Sequence, residues 1–402
     1  MSPDSPVGIV GAGAMGSGIA QVAATRGHPV MVVDTSAQAL ERAREALGKV
    51  LRREVEKGRL DDERAAAIAA RIRWAEGGGT AGMDALRGSA LVIEAIVERL
   101  DVKRETFAAL ERVVAPECVL ATNTSSLSIS AIAAACERPE RVLGVHFFNP
   151  APLMPLVEII PGLATAEEVV TATRALVDAW GKTTVVAADT PGFIVNRVAR
   201  PFYGEALRLY EEGVADPATI DWAMREIGGF RMGPFELMDL IGHDVNFAVT
   251  SSVFEGFFFD PRYRPSHVQQ RLVAAGRLGR KTGRGFYDYA PGATRPEPVA
   301  DRALGERIVE RILCMLINEA ADAVFLRIAT PTDIDTAMTK GVNYPRGLLA
   351  WADELGAERV VRCLTTLQEE YGEDRYRPSP LLRRMAREGA RFFGGAPARG
   401  GA

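Results

Sequence analysis

A glycine-rich turn constrains the start of this chain more than any other feature. Gly11-Ala12-Gly13-Ala14-Met15-Gly16 follows the β-branched run Val7-Val10 and opens an Ala-rich stretch that continues through Ala24. Bare glycine spacing carries little weight. A strand passing into a helix through such a turn is the context that a dinucleotide fingerprint requires. Gly11 permits the tight turn, Gly13 lets the backbone approach a pyrophosphate at the helix N-terminus, and Gly16 lets helix and strand pack closely. The next strand-like run, Val30-Val33, ends at Asp34, 18 residues past Gly16. A carboxylate there accepts the adenosine ribose hydroxyls and repels a 2'-phosphate, and Thr35-Ser36-Ala37 brings no arginine to hold one. The expected cofactor is NAD, with Gly11, Ala12, Gly13, Ala14, Met15, Gly16 and Asp34 around it.

Short β-branched runs alternate with helical stretches as far as Ala187: Val7-Val10, Val30-Val33, Leu91-Ile96, Val119-Thr122, Val142-Phe148, Val157-Ile160 and Thr184-Val186. This is the pattern of an α/β, Rossmann-like domain with a mostly parallel sheet, over residues 1–187. After Asp189-Thr190-Pro191-Gly192 the strand signals stop and helical patterns begin. A first all-α domain is expected over 188–290, a Pro- and Gly-rich linker over 291–300, and a second all-α domain over 301–395. The second repeats the first. A shift of 114 positions superposes Ile194 on Ile308, Arg197 on Arg311, Glu205-Ala206 on Glu319-Ala320, Ile220-Asp221 on Ile334-Asp335 and Gly242 on Gly356, among thirteen ungapped identities. Two copies of one surface can pair within a chain as two subunits of a symmetric dimer do. A homodimer of whole chains is compatible with this too. The Gly-, Ala- and Arg-rich tail from Gly394 is expected to be mobile.

Composition narrows the partners. Lys+Arg 48 against Asp+Glu 52, a net charge of -4, gives no cationic field for a nucleic acid. Apolar runs are too interrupted for a membrane span, and the N-terminus fits neither a secretory nor a transit signal. A cytoplasmic protein is expected. Cys118, Cys136, Cys314 and Cys363 are far apart, with no CxxC pair and no neighbouring histidine, so neither disulfides nor a metal site is expected.

Of four histidines, His146 lies in the strand-like run Val142-Phe148, and Glu158 follows 12 residues later in a second strand. If the strands lie side by side, the carboxylate can hold the imidazole. Oxidising a secondary alcohol needs a base for the hydroxyl proton, and neutral histidine suits that near pH 7. A glutamate would orient the ring and stabilise the imidazolium. A lone histidine in an apolar strand is more often a hydrogen-bonded core residue. His28, beside Gly27 and Pro29, reads as a surface turn residue, and His243 and His267 as structural residues without a comparable partner.

Several motifs together carry a family resemblance: Gly11-Ala20, Glu94-Ala95-Ile96-Val97-Glu98, Asn123-Thr124-Ser125-Ser126-Leu127, Gly144-Val145-His146-Phe147-Phe148-Asn149-Pro150, Asp189-Arg197 and Gly279-Arg280-Lys281-Thr282-Gly283. In that order they resemble the motifs of the L-3-hydroxyacyl-CoA dehydrogenases, over nearly the whole chain. The resemblance implies oxidation of (3S)-3-hydroxyacyl-CoA by NAD, with His146 as base, Glu158 as its partner, and Ser125 and Asn196 positioning the substrate oxygen and the ring. It further implies that Glu98, Lys103, Asn149 and Lys281 line the nicotinamide and ribose end. A basic helix from Ala39 to Glu63, with Lys49, Arg52, Arg53 and Lys57, would grip CoA, Lys57 being nearest to the family's CoA-contacting lysine.

The counterpart of Asn196 in the second copy is Glu310, and no second nucleotide domain exists, so one active site per chain is expected. Gly341-Trp351 resembles the two-repeat enzymes of phenylacetate catabolism, which act on 3-hydroxyadipyl-CoA, and 3-hydroxybutyryl-CoA stays open as the substrate beside it. No hydratase-like segment is read ahead of the nucleotide domain, which argues against a fused multifunctional enzyme. Two other readings stay open. A dehydrogenase of a free hydroxy acid on the same fold would be expected to place a lysine where Asn196 stands. An idle, crystallin-like NAD-binding protein would bind the nucleotide without turnover.

Overall fold

The computed structural model describes residues 4–77 and 82–394, so the tail expected to be mobile lies, beyond Gly394, outside the described residues. Each of the seven β-branched runs forms a strand. An eighth strand joins them at the edge, giving β1 (Val7–Val10), β2 (Val30–Asp34), β3 (Ile72–Glu76), β4 (Leu91–Glu94), β5 (Val119–Thr122), β6 (Val142–Phe147), β7 (Leu156–Pro161) and β8 (Thr183–Val186). The sheet order is β3-β2-β1-β4-β5-β6-β7-β8, parallel throughout except where β7 runs against β6. The strand order reverses between β1 and β4, which places the ligand crevice at their C-terminal ends.

The central strands are apolar throughout because helices cover both faces. Ile9, Val32, Ile93 and Ala121 point into one core, and Val33, Val92 and Leu120 into the other. The helix expected from Ala39 to Glu63 is two helices. The first, Ala37–Glu56, is capped by the Ser36 hydroxyl, which accepts from the Ala39 N–H. Gly58 then takes φ 67, and Asp61 caps a new helix, Asp62–Arg71. His28 is also not a surface residue. Only 2% exposed, it accepts from Trp180 Nε1 at 3.0 Å and holds the Ser5 carbonyl at 2.9 Å.

The chain divides into two compact units, Met1–Thr190 and Pro191–Ala402. In the second unit the helices Pro217–Trp222, Pro234–Ile241 and His243–Gly256 have counterparts in Pro331–Gly341, Leu348–Leu355 and Ala357–Tyr371. The caps repeat as well. Asp221 accepts the N–H groups of Phe235 and Glu236, and Asp335 those of Leu349 and Ala350. Beyond this point the offset falls to 113, where Arg262-Tyr263-Arg264-Pro265-Ser266 matches Arg375-Tyr376-Arg377-Pro378-Ser379. A one-residue change of register had hidden this match from the ungapped shift. Residues 291–300 carry neither helix nor strand.

The long helix Arg302–Phe325 packs on the helix Arg200–Glu211. Arg197 Nε reaches Glu319 at 2.5 Å, and Arg311 Nε reaches Glu205 at 3.0 Å. Each arginine in one copy therefore meets the glutamate of the other. Tyr263 donates to Glu319 and Tyr376 to Glu205, which repeats the exchange. His243 has a partner that the sequence reading did not give it. Its Nε2 lies 2.7 Å from Asp239 Oδ1, and both side chains are fully buried. Among the described residues no helix is long and apolar enough to cross a membrane.

Candidate active site

At the C-terminal end of β1 the glycine turn has the shape its sequence predicts. Gly11 has φ 105, and a Cβ there would lie 2.6 Å from the Ala95 carbonyl oxygen. A Cβ on Gly16 would overlap the Gly11 carbonyl, whereas one on Gly13 would meet nothing within 4 Å. Gly13 therefore faces open space at the start of the helix Ala14–Thr25, whose N-terminus no side chain caps. Free N–H groups beside an open cradle suit a pyrophosphate. Asp34 Oδ2 accepts the Ala12 N–H at 2.7 Å and Oδ1 accepts the Ser36 N–H at 2.8 Å. One bond on each oxygen fixes the carboxylate and leaves lone pairs for ribose hydroxyls. These residues fit NAD.

The next two strand ends bear a charged network. Glu94, fully buried at the end of β4, accepts from Lys103 Nζ at 2.5 Å, from Thr122 Oγ1 at 2.6 Å and from the Ile96 N–H at 2.7 Å. Lys103 lies between Glu94 and Glu98, 3.4 Å from the latter. Glu98 Oε1 in turn accepts from Thr124 Oγ1 at 2.6 Å, the Ser125 N–H at 2.9 Å and Ser126 Oγ at 3.1 Å. Burial pushes the Glu98 carboxyl up, but the Lys103 ammonium and these donors outweigh it and hold the carboxyl below its usual range. Glu98 thus holds the turn that carries Ser125. Lys103, at 1% exposure, touches carboxylates on both sides. The sequence reading had no place for Glu94 or Thr122 in this arrangement.

His146 and Glu158 face each other in the antiparallel register of β6 and β7. Nδ1 lies 2.7 Å from Glu158 Oε2, with the carboxylate fully buried and the ring nearly so. The 12-residue separation reflects a strand that turns back beside itself. Asn123 Oδ1 accepts the Phe147 N–H at 2.8 Å and so ties the Ser125 turn to the strand bearing His146. Phe148 packs on the imidazole, with ring centres 4.6 Å apart, and Asn149 follows, exposed.

Lys57 is exposed at the end of its helix, on the rim of a cavity of about 600 Å³. Arg53 lines the same cavity, whereas Lys49 and Arg52 do not, and Arg26, Arg59 and Lys182 join it from elsewhere in the sequence. In the second unit, half-buried Asn196 lies on the short helix Val195–Val198, and Lys281 Nζ pairs with Asp244 at 2.6 Å. All four cysteines are unpaired, and among the described residues no cluster of three metal-ligating side chains occurs.

A doubly wound sheet with a dinucleotide turn, and a His–Glu pair on its later strands, defines a nicotinamide-linked dehydrogenase. The model of the 3-hydroxyacyl-CoA dehydrogenase NAD binding domain matches residues 6–190, and that of the family's C-terminal domain matches twice, over 192–289 and 308–396. The chain belongs to the 3-hydroxyacyl-CoA dehydrogenase family. It is 43% identical to the 3-hydroxyadipyl-CoA dehydrogenase of Escherichia coli, over 94% of this chain and 97% of that protein. A probable 3-hydroxybutyryl-CoA dehydrogenase of Bacillus subtilis is also 43% identical, but over 70% of this chain. A crystal structure of a 3-hydroxybutyryl-CoA dehydrogenase from Escherichia coli superposes with a TM-score of 0.90, 41% identity, and coverage of 95% and 98%.

Proposed function

We propose that the chain oxidises (3S)-3-hydroxyacyl-CoA to 3-oxoacyl-CoA with NAD, and that His146 is its general base. The observation that carries this reading is the 2.7 Å contact between His146 Nδ1 and a fully buried Glu158 on the neighbouring strand. With Nδ1 committed to the carboxylate, the substrate proton goes to Nε2, and Glu158 stabilises the imidazolium that results. NAD, when bound along the β1 turn, supplies the acceptor for the hydrogen leaving C3. Ser125, set in place by Glu98, and Asn196 hold the 3-oxygen and the ring as charge changes there. Asn149, Lys103 and Lys281 belong to the nicotinamide end. Lys103 acts there through Glu98, since its ammonium lies between two carboxylates.

Lys57, with Arg53 beside it on the cavity rim, holds the anionic end of CoA. The two relatives of E. coli carry different acyl names and both match over both helical copies, so the acyl group is a separate question, and we favour a 3-hydroxyadipyl chain on the resemblance of Gly341-Trp351 to the two-repeat enzymes. We further read residues 188–290 and 301–395 as two copies of one domain, joined by the 291–300 linker and paired as the subunits of a dimer would be. The reciprocal Arg197–Glu319 and Arg311–Glu205 pairs support this reading. Four unpaired cysteines support a reducing, cytoplasmic setting.

The deciding assay follows NADH loss with acetoacetyl-CoA and NADH formation with 3-hydroxyadipyl-CoA, using His146→Gln as control. Turnover that vanishes in the variant supports the reaction, and the ratio of specificity constants assigns the acyl group. NADH binding without turnover of either thioester would overturn the reading in favour of an idle NAD-binding protein. Turnover of free hydroxy acids alone would point to the other dehydrogenase class.

A further inference from the structure

A cavity of about 750 Å³ lies where the second helical copy packs on the first, and it has no role in the reaction above. Leu209, Val214, Ile308 and Leu367 form its apolar wall. Around it stand Arg307, Glu310, Arg359 and Arg362. The 114-residue shift puts these four at the positions of Phe193, Asn196, Val245 and Ala248 in the first copy. A neutral set has therefore become three cations and one carboxylate. Glu310 neutralises Arg359, with Nε at 3.0 Å and Nη2 at 2.9 Å. Arg307 and Arg362 are exposed and make no ion pair among the described residues, while the cavity's other acid, Glu370, is likewise exposed and unpaired. The balance at the rim is cationic.

We propose that this cavity is a ligand site, and that it takes an amphipathic anion, an apolar chain with a carboxylate or phosphate charge at one end. The volume lies within the range of small-molecule sites, typically lined by apolar side chains with a few placed polar groups. An apolar wall removes the chain from water, and two unpaired guanidinium forks suit a carboxylate geometrically. Arginines serving only to keep a surface solvated would have no need of an apolar hollow between them. A free carboxylic acid and an acyl-CoA both offer an apolar chain with a charged end, so the test separates them.

Cys363 lines the same cavity and is half-buried, and a hydrogen bond from Cys314 holds its thiol below the usual range, so it reports occupancy directly. The experiment measures iodoacetamide labelling of Cys363 by peptide mass spectrometry in the full chain, with decanoate, decanoyl-CoA or decan-1-ol, and takes alkylation of added glutathione in the same mixture as control. Decanoate is expected to slow labelling of Cys363 and not of glutathione, with decan-1-ol needing about tenfold more to do the same, as expected if one charge-assisted contact is lost. Protection by decanoyl-CoA alone would assign the site to the thioester form. The double variant Arg307→Glu/Arg362→Glu should lose the protection while keeping its melting temperature, since both residues are exposed. Equal protection by the alcohol, protection that survives in the double variant, or none by either anion would overturn the proposal.

Discussion

The two helical copies agree where they are buried against each other and differ where they are not. Arg197 and Arg311, Glu205 and Glu319, Tyr263 and Tyr376 make the same contacts in exchange. Away from that packing, half-buried Asn196 is replaced by Glu310, and Phe193, at 1% exposure, by the exposed Arg307. The difference has a physical cause. A buried charge deprived of its partner destabilises strongly, so neither half of a buried pair can change alone, whereas an exposed position tolerates a new charge at little cost. The second copy retains the side that packs on the first and has changed the side on which the first carries Asn196.

The largest effect should come from His146. His146→Gln should cut turnover by about 10⁴-fold while NADH fluorescence titration shows unchanged binding. Retention of a tenth or more of wild-type turnover would show another base at work. Next comes the pairing itself. Glu319→Ala should cost about 3–5 kcal/mol in urea unfolding, because it strands the buried Arg197, and Glu205→Ala less, because Arg311 keeps its pair with Glu212. A large cost at one site and none at the other would mean that the exchange is geometric only.

Glu319 adds a pH signature. Burial alone would raise its carboxyl, but Arg197, Arg262 and the Tyr263 hydroxyl outweigh it and hold the carboxyl below the usual range. A lowered native value means that the unfolded chain binds the proton first. The stabilisation is therefore present above the ordinary carboxylate range and lost as pH falls through the lowered native value. Melting temperature plotted against pH should thus fall more steeply on the acid side for the wild type than for Glu319→Gln. Parallel acid limbs would show that Glu319 does not carry the linkage.

The parts of this molecule that were legible in the sequence share one property, which is dependence on a single local pattern. The β-branched runs and the glycine turn needed nothing beyond their neighbours, and His146 met Glu158 because two adjacent strands fold back on each other. The edge strand Ile72–Glu76 escaped notice because Arg73, Trp74 and Glu76 give it no apolar run, as suits a strand with one open edge. Glu94 and Lys103 could not be connected from sequence, since their contact depends on the helix Leu100–Val113 turning back beside the end of β4. His28 was misread for a similar reason. Its partner, Trp180, is 152 residues away. His243 and Asp239 are four apart, but Gly242 at φ 101 separates two helices between them, so helical spacing gave no guide to their contact.

The smallest expected effects test the outer faces directly. Asn196→Ala should lower turnover by about 10- to 100-fold, as expected when one polar contact to an oxygen changing charge is removed. Glu310→Ala, at the same position of the other copy, should leave turnover unchanged and cost no more than about 1 kcal/mol in stability, because it releases only a partly exposed pair with Arg359. The comparison must be made on kcat as well as on kcat/KM. A contact to the 3-oxygen that strengthens in the transition state lowers both together, whereas a residue that merely supports the fold would shift KM or stability instead. Equal losses at Asn196 and Glu310 would mean that both copies contribute to one site. A loss at Asn196 alone would confine catalysis to the first copy and leave the second copy's changed face free to serve a ligand of its own.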